Sequence, residues 1–346
     1  MTSNMREKSP ATPDVAVIIL NWNGVDLMRR FLPSVIKHTP AGIGRVIVAD
    51  NGSTDGSVEM LEREFPEVEV IRFAENHGFA EGYNLAIEAT GYKYTVLLNS
   101  DVEVREDWLT PLYEYMESHE EVAAVQPKIM SLQEEGYFEY AGACGGLIDR
   151  HGYPYCRGRV FATLEKDCGQ YDEPMEIFWA SGAAMMVRTD VYLGAGGLDG
   201  EFFAHMEEID LCWRMQLQGH TLAVVPEGKV YHLGGGSLPA SNPRKTYLNF
   251  RNSLLMLHKN LPDSSRKSTL NKRRFLDTIA WAKFMVTLDW GNANAILRAH
   301  RDYRRMCGKY GGHPKEDLLN INPRRPNILT EYYVRGHKRY SDVHSK

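Results

Sequence analysis

Four predicted strands, separated by segments with helical periodicity, constrain the fold of this chain more than any other feature. They cover Val15 to Leu20, Arg45 to Asp50, Val68 to Phe73 and Tyr94 to Leu98. The first of them is a continuous apolar, β-branched run, which is typical of a strand that is buried on both faces. Strands that alternate with helices at this spacing predict an α/β fold with a doubly wound, mostly parallel sheet.

Polar side chains follow three of these four predicted strands, at the point where each strand ends. They belong to Asn21 and Asn23, to Asp50 and Asn51, and to Asn99, Ser100 and Asp101. In doubly wound sheets, ligands bind beyond the carboxyl ends of the strands. We therefore expect these side chains to face one crevice, and this convergence is the first indication of function.

The composition excludes several classes of protein. A content of 43% hydrophobic and 25% charged residues argues against a disordered chain and against a multi-span membrane protein. The net charge of -5 gives no electrostatic reason to expect a nucleic acid partner. Five cysteines without a C-x-x-C pair favour free thiols in a reducing compartment. The polar N-terminus lacks the apolar segment of a signal peptide, so we expect a cytoplasmic protein.

An acidic segment, residues 203–214, is the second candidate for function. Its three carboxylates belong to Glu207, Glu208 and Asp210. Four residues separate Asp210 from Arg214, and a helix would place both side chains on one face. The same spacing relates His205 to Ile209. The carboxylates are either a solvated first turn that offsets the helix dipole, or a general base whose pKa a neighbouring carboxylate raises.

Three further polar residues also have two interpretations each. Asp50 is either part of an ordinary turn or a ligand of a nucleobase, and we favour the ligand. Asp101 follows a strand either in an Asx-turn or as a hard oxygen ligand of Mg²⁺ or Mn²⁺ beside a diphosphate. His232 precedes the glycine-rich residues 234–237 and is either structural or a metal ligand. The patterns of dinucleotide-binding, P-loop and α/β-hydrolase sites do not occur.

Taken together, these motifs resemble the family 2 glycosyltransferases, which are inverting nucleotide-sugar enzymes with the GT-A fold. The resemblance lies in residues 48–57, 76–84, 97–101 and 203–214, with extensions at 179–183 and 230–237. It covers roughly residues 14–260 and is greatest to the rhamnosyltransferase-like branch that builds bacterial surface polysaccharides. It implies a nucleoside-diphosphate sugar as donor, a glycan or lipid-linked acceptor, and Mg²⁺ or Mn²⁺ as cofactor.

The resemblance also implies roles for individual residues. Asp50 would bind the nucleotide base, and Asp101, with His232, would hold the metal. We assign Glu208 as the general base, with Glu207 as the alternative. Asp210 would instead orient its neighbours or cap the helix. The other residues assigned to nucleotide-sugar binding are Asn21, Asn23, Asn51, Gly78, Asn84, Asn99, Ser100, Trp179, Gly182 and Arg251.

Two positions depart from the family pattern. Asn99 stands where the D-x-D motif begins with Asp, which removes one charge from the metal site. The acidic pair is Glu-Glu where its second member is usually Asp, so each candidate base stands on a longer side chain.

Residues 1–13 are expected to form a flexible N-terminus, 14–260 a catalytic domain and 261–346 a helical extension and tail. In the extension, a basic run precedes the apolar segment Phe275 to Leu288. This part of the chain, 266–290, either lies on an anionic membrane surface at the inner face of the cell membrane or packs on the catalytic domain. The oligomeric state is not predicted.

Two other functions compete with glycosyl transfer. A nucleotidyltransferase acting on sugar phosphates shares the sheet and a metal-binding Asp. It should carry a glycine-rich, basic loop after the first strand, where residues 21–24 read Asn-Trp-Asn-Gly. A non-catalytic sugar-nucleotide-binding protein would bind nucleotide without dependence on Mg²⁺.

Overall fold

The computed structural model describes residues 13–234 and 242–345, and these form thirteen β-strands and ten α-helices. The first part of the chain alternates strands and helices. Its elements are β1 (Val15–Asn21), α1 (Val25–Lys37), β2 (Gly44–Asp50), α2 (Ser57–Glu64), β3 (Glu69–Arg72), α3 (Gly78–Thr90), β4 (Tyr94–Leu98), β5 (Val102–Glu103), α4 (Leu109–Ser118) and β6 (Val122–Ser131).

The second part of the chain contains short strands and then helices. Its strands are β7 (Gly146–Ile148), β8 (Pro154–Cys156), β9 (Arg159–Val160), β10 (Thr163–Leu164), β11 (Met175–Glu176), β12 (Ala184–Arg188) and β13 (Thr221–His232). Its helices are α5 (Thr189–Gly194), α6 (Glu207–Leu217), α7 (Pro243–Asn260), α8 (Asp263–Val286), α9 (Trp290–Met306) and α10 (Tyr340–His344).

The central sheet has the strand order β11-β13-β6-β12-β4-β1-β2-β3, and β5 pairs with β13 at one edge. Strands β3, β2, β1 and β4 are parallel, whereas β12 runs antiparallel to both β4 and β6. The predicted α/β fold is confirmed, with a sheet that is parallel over its first four strands and mixed beyond them. In register, Asn21 pairs with Asp50, so the predicted strand ends meet.

Helices cover both faces of the sheet, which explains why β1 and β4 are almost entirely apolar and buried. Alternate residues of β1 point into two different cores, with Ala16 and Ile18 on one side and Val17 and Ile19 on the other. The first core contains α3, α6 and α7, and the second contains α1, α2 and α4. Burial on both faces removes the period-2 alternation that a half-exposed strand would show.

Strand β13 is continuous from Thr221 to His232, with a shift of register between Val225 and Lys229. One local prediction is wrong. The helix predicted through His205 begins only at Glu207, so His205 lies in the preceding turn and does not share a helical face with Ile209. Arg214 does reach back to Asp210 on α6, as the spacing predicted.

The helical C-terminal extension is present and packs against the catalytic core. Helices α7, α8 and α9 contact one another, and residues 322–344 return to the small antiparallel sheet formed by β7 to β10. Helix α7 ends at Asn260. All five cysteines, each in the described part of the chain, are free thiols. No helix within the described ranges is long and apolar enough to cross a membrane.

Candidate active site

The ends of β1 and β2 form the floor of a polar crevice. Asn21 and Asp50 are both buried, and Nδ2 of Asn21 donates to Oδ1 of Asp50 at 3.0 Å. The other carboxylate oxygen of Asp50 accepts from the backbone N–H of Ser53 at 3.0 Å. Oδ1 of Asn21 is buried and has no partner among the described residues. An unpaired buried acceptor beside a carboxylate indicates a place where a polar ligand would add hydrogen bonds.

The turns after these strands are held by asparagine side chains. Asn23, at a positive φ of 51°, accepts from the backbone N–H of Thr54 at 2.7 Å. Asn51 donates to the carbonyl of Gly78 at 2.9 Å and accepts from the N–H of His77 at 2.9 Å. These bonds connect the end of β2 to the start of α3. Asn23, Asn51 and Gly78 therefore shape the edge of the crevice with bonds to backbone.

Asp101 and His232 come together from the ends of β4 and β13. Oδ1 of Asp101 lies 3.0 Å from Nε2 of His232, and Nδ2 of Asn99 lies 3.3 Å from the same nitrogen. Burial alone would raise the pKa of Asp101, but the hydrogen bond and charge of His232 lower it below the usual value. Ser100, between Asn99 and Asp101, is half-buried. The structure thus brings Asn99 and Asp101 into contact with the imidazole of His232.

A carboxylate absent from the sequence-based assignment lies behind His232. Oε2 of Glu139 is 3.3 Å from Nδ1 of His232. The two atoms are at ion-pair distance, but their angles do not meet the geometry of a hydrogen bond. The same oxygen accepts from the backbone N–H of Ala141. Burial alone would lower the pKa of His232, but Asp101 and Glu139 together raise it to about 9. His232 therefore stands between two carboxylates when no cation is bound.

Asp101 and His232 also fit a divalent cation. Their facing atoms are a hard carboxylate oxygen and an imidazole nitrogen, the donors that Mn²⁺ accepts, and Mg²⁺ takes the oxygen. Within the described ranges no three His, Cys, Asp or Glu side chains are placed to hold a metal ion together. Asp101 and His232 would therefore hold a cation here as a pair, with Glu139 orienting the imidazole. Of the glycine-rich segment 234–237, residues 235–237 lie outside the described residues.

Glu207 and Glu208 begin α6 and are the most perturbed acids of the site. Glu207 is buried, Glu208 is half-buried, and Oε2 of each is buried without a hydrogen-bond partner among the described residues. Burial, and then the charge of Glu208, raise the pKa of Glu207 well above its usual value. Burial also raises the pKa of Glu208. Solvent-exposed caps would keep ordinary pKa values, so the first-turn interpretation does not describe these two residues.

Gly182 lies beside Glu208. A Cβ atom added to Gly182 would stand 3.8 Å from Cβ of Glu208 and 3.6 Å from Cζ of Phe79. Trp179 in the same segment is buried, and its indole N–H donates to the carbonyl of Leu147 at 2.9 Å. The glycine thus leaves space next to the carboxylate, whereas Trp179 packs the segment onto β7.

The turn before α6 is strained. Phe203, His205 and Met206 have positive φ angles of 65°, 70° and 76°, which are uncommon for residues other than glycine and are concentrated at functional sites. Asn252 on α7 donates to the carbonyls of Phe202, Ala204 and His205 at 2.7–2.9 Å. The side chain of Asn252 thus holds the strained turn in place. This turn determines where α6 begins, and Glu207 and Glu208 are its first two residues.

Arg251, assigned to nucleotide-sugar binding, takes part in the same arrangement. It is buried and donates to the carbonyls of Glu201 at 3.0 Å and Phe202 at 2.9 Å. Asn84 is similar, because it donates to the carbonyl of Leu198 at 2.8 Å and accepts from Tyr192 at 2.6 Å. In the described structure both side chains hold the 192–202 segment.

Asp210 is fully buried and fully paired. It accepts from Arg214 at 2.9 Å, from Lys259 at 2.9 Å and from Asn260 at 2.7 Å. Asp199 shares Lys259, with a distance of 2.7 Å. Through these three partners, Asp210 joins α6 to the end of α7. This contact is consistent with the orienting role considered for Asp210. Glu207 and Glu208 remain the candidates for proton transfer.

Two residues of this arrangement, Glu139 and Lys259, were missed by the sequence analysis. Glu139 lies in the irregular segment 131–176, where no periodic pattern marks it. Lys259 stands near the end of α7, where a basic residue is ordinary.

Comparison with known proteins relates this chain to glycosyltransferases. The sequence model of "Glycosyl transferase family 2" matches residues 16–179. An N-acetylglucosaminyl-diphospho-decaprenol L-rhamnosyltransferase of Mycobacterium tuberculosis is 25% identical over 239 residues, which is 64% of this chain and 76% of the relative. An uncharacterized protein of Sinorhizobium fredii is 26% identical over 235 residues, but the chain spans only 24% of its length.

Solved structures show the same fold at low sequence identity. The crystal structure of GalNAc-T7 with UDP, GalNAc and Mn²⁺ has a TM-score of 0.57 and 16% identity, covering 75% of this chain and 52% of that one. The crystal structure of S. aureus TarS 1-349 in complex with UDP-GlcNAc has a TM-score of 0.56 and 15% identity, covering 84% of this chain and 80% of that one.

Proposed function

Because the model of glycosyl transferase family 2 matches residues 16–179, we propose that this chain transfers a sugar from a nucleoside diphosphate to a hydroxyl group with inversion. The observation that supports this best is the presence of two groups with complementary chemistry. A buried carboxylate pair with raised pKa values begins α6, and a candidate cation and diphosphate site lies at the ends of β4 and β13. Hydroxyl activation and leaving-group stabilisation are the two requirements of this reaction.

Glu208 is the proposed general base. A base must be deprotonated and accessible, and Glu208 is half-buried beside the space left by Gly182. Glu207 is buried more deeply, and the charge of Glu208 adds to its raised pKa, so Glu207 holds its proton more firmly. Consecutive helical residues point about 100° apart, so one of the two faces the acceptor hydroxyl. The proton of that hydroxyl passes to Glu208 as the oxygen attacks the anomeric carbon.

Asp50 and its neighbours are proposed to bind the nucleoside. Asp50 accepts a base N–H, and the unpaired Oδ1 of Asn21 offers a second acceptor at the same strand end. The backbone around Asn51 and Gly78 forms the adjacent edge, and Asn99 and Ser100 lead towards the diphosphate. A single displacement needs no protein nucleophile, which agrees with the absence of a nucleophile–base pair among these residues.

Asp101 and His232 would hold a divalent cation, which would neutralise the charge of the leaving diphosphate. Support comes from the donor set of the pair and from the Mn²⁺ in the GalNAc-T7 structure. Because Asn99 replaces the first carboxylate of the usual D-x-D, His232 is proposed to make up for the missing ligand.

A deoxyhexose such as rhamnose is the proposed sugar, and a lipid-linked glycan is the proposed acceptor in bacterial surface polysaccharide synthesis. The mycobacterial relative named above is a rhamnosyltransferase for a diphospho-decaprenol substrate. A further relative, of Myxococcus xanthus, is named an O-antigen biosynthesis protein and is 24% identical over 224 residues.

Helix α8 supports a lipid-linked acceptor, because its exposed face suits the inner surface of a cell membrane. Phe275, Ile279 and Val286 lie on one face of the helix and are 67%, 54% and 83% exposed. Exposed lysines flank them, and Asp277, the single acidic residue between positions 264 and 288, is buried against His300. An apolar stripe with a basic border is complementary to anionic lipid.

Sugar transfer is tested with the purified chain, dTDP-, UDP- and GDP-sugars, Mn²⁺ or Mg²⁺, and a diphospholipid-linked N-acetylglucosamine acceptor. We expect release of nucleoside diphosphate that depends on donor, acceptor and cation together, and a product with inverted anomeric configuration by NMR. A retained configuration would exclude the single displacement. Nucleotide binding that is indifferent to the cation and never followed by transfer would favour a non-catalytic binding protein.

A further inference from the structure

A second cavity, of about 790 Å³, lies away from the crevice. Its walls are β7, the segment around Phe178, the C-terminal end of α6 and residues 322–344. Gln216 lines this cavity, whereas Glu208 stands near the opposite end of the same helix, about 12 Å away along its axis. Cavities of 300–1,000 Å³ are typical of small-molecule sites, so this one has the size of a ligand site.

The wall formed by the C-terminal segment is anchored by buried groups. Oδ2 of Asp149 accepts from the N–H of Ile328 at 3.1 Å, and both side chains are buried. Arg150 donates to the carbonyl of Arg325 through Nε at 3.0 Å and Nη2 at 2.6 Å. Tyr155, also buried, bonds with His344 at 3.1 Å. These contacts join the C-terminal segment to the small sheet and build the cavity.

The charges that line the cavity are unbalanced. Its cations are four arginines, and its acids are two glutamates, namely Arg150, Arg324, Arg325, Arg335, Glu176 and Glu331. Glu331 is already paired with Arg335, at 2.6 Å. Among the described residues, the guanidinium of Arg325 donates a hydrogen bond to the carbonyl of Ile148, at 3.3 Å, and lies over the ring of Phe178, at 5.1 Å. Within the described ranges no carboxylate lies at ion-pair distance from Arg325 or Arg324.

Arg325 is therefore a half-buried cation without a counter-charge in contact. Burial lowers its pKa, although the charges of more distant groups oppose the change. A guanidinium has five N–H donors in a planar fork, and those of Arg325 are mostly unused. Phosphate oxygens match this fork in geometry and charge. The buried side chains of Phe178 and Ile148 give the same cavity an apolar floor.

We propose that this cavity is a second ligand site, which binds a phosphate-bearing molecule through Arg324 and Arg325 and packs the remainder of that molecule on Phe178 and Ile148. The site goes beyond the proposed glycosyl transfer, since none of its residues belongs to the crevice. The phosphate comes either from a soluble phosphate ester or from a lipid headgroup, and both present the same oxygens to the two arginines.

Isothermal titration calorimetry with inorganic pyrophosphate in EDTA tests the site, because without divalent cations the Asp101–His232 pair is not loaded. We expect Arg324→Gln, which removes an exposed side chain without contacts among the described residues, to weaken binding about 10-fold. Arg325→Gln should act in the same direction. The matched control is Arg304→Gln, which removes an exposed arginine from α9, away from the cavity. A second control, Asp101→Asn, alters the crevice and should leave pyrophosphate binding unchanged.

A second arm separates the two sources of phosphate. Vesicles of phosphatidylcholine with phosphatidic acid are co-sedimented with the wild-type chain and with Arg324→Gln, with and without pyrophosphate as competitor. Pyrophosphate binding that depends on Arg324 supports a soluble ligand, and vesicle binding that depends on Arg324 supports a headgroup. The proposal is overturned if neither occurs, if Arg304→Gln has the same effect as Arg324→Gln, or if Asp101→Asn abolishes the binding.

Discussion

Oδ1 of Asp101 and Nε2 of His232 lie 3.0 Å apart, and these two residues would hold a divalent cation. Without a cation, the imidazole is held between Asp101 and Glu139, which raise its pKa to about 9. A protonated imidazole cannot bind a metal, so cation binding must displace the proton. This competition gives the site a specific dependence on pH.

We expect the affinity for Mn²⁺ in the presence of UDP to rise about tenfold per pH unit between pH 7 and pH 9. The rise should level off above the pKa of His232, because the imidazole is then already neutral. Titration of Mn²⁺ followed by electron paramagnetic resonance measures it. His232→Gln should bind Mn²⁺ more weakly and lose the slope, and an unchanged slope in that variant would show that another group is responsible.

Glu139→Gln should weaken Mn²⁺ binding about 10- to 100-fold, because the carboxylate behind a ligating histidine fixes the orientation of its ring. Titration of Mn²⁺ over a range of pH measures the loss of affinity. The pH at which the affinity levels off should also fall, because Glu139 no longer raises the pKa of His232. Glu135→Gln, at an exposed position nearby, is the matched control. Equal affinities in both variants would remove Glu139 from the positioning of His232.

Glu208→Gln should lower kcat by about 10²- to 10⁴-fold while nucleotide binding persists, since a general base contributes rate and not donor affinity. In the wild-type chain, kcat should fall towards acid pH with an apparent pKa above that of an ordinary glutamate, because burial raises the pKa of Glu208. Glu88→Gln on the exposed face of α3 should be neutral. If Glu207→Gln alone lost the activity, the base would be Glu207.

Glu207→Gln should stabilise the fold at neutral pH. The folded-state pKa of Glu207 lies well above that of the unfolded chain, so folding retains a proton that the unfolded chain releases. The stability of the wild-type chain therefore falls as pH rises from about 4.5 towards the folded-state pKa. Gln does not ionise, so its advantage should grow as the pH rises from 4.5 to 8. Urea unfolding at pH 4.5 and pH 8 measures the difference, and equal effects at both values would contradict it.

Phe275→Ser with Ile279→Ser should weaken binding to phosphatidylglycerol vesicles about 10- to 100-fold, as expected for the loss of two buried apolar side chains. Added salt should weaken the wild-type binding too, because the lysines of α8 contribute electrostatically. Leu193→Ser removes an exposed apolar residue on α5 and is the control. Co-sedimentation that is insensitive to both the double variant and salt would exclude α8 as the membrane surface.

Local pattern was sufficient for the parallel half of the sheet. The runs at β1, β2 and β4 are apolar because helices cover both of their faces, and the polar residues that follow them, such as Asn21 and Asp50, must then meet at one edge. The fold class and the grouping of the strand-end residues could therefore be predicted from the sequence.

The start of α6 could not be predicted in this way. The spacing of His205 and Ile209 favours a helix, but Asn252 of α7 holds the carbonyls of Phe202, Ala204 and His205 in a turn with positive φ angles. Likewise, Glu139 reaches His232 from a segment without periodicity. Such contacts join residues distant in the chain, and no local signal encodes them.

The sequence by itself thus determined the α/β order of this protein, the edge where its polar residues gather and the acidic pair at Glu207 and Glu208. Only the tertiary structure decided that Asp210 is paired with Lys259 and hydrogen-bonded by Asn260, whereas Oε2 of each glutamate is buried without a hydrogen-bond partner among the described residues. The physical reason is that burial and the distance to opposite charges set the protonation of a carboxylate, and both depend on the packing of α6 against α7.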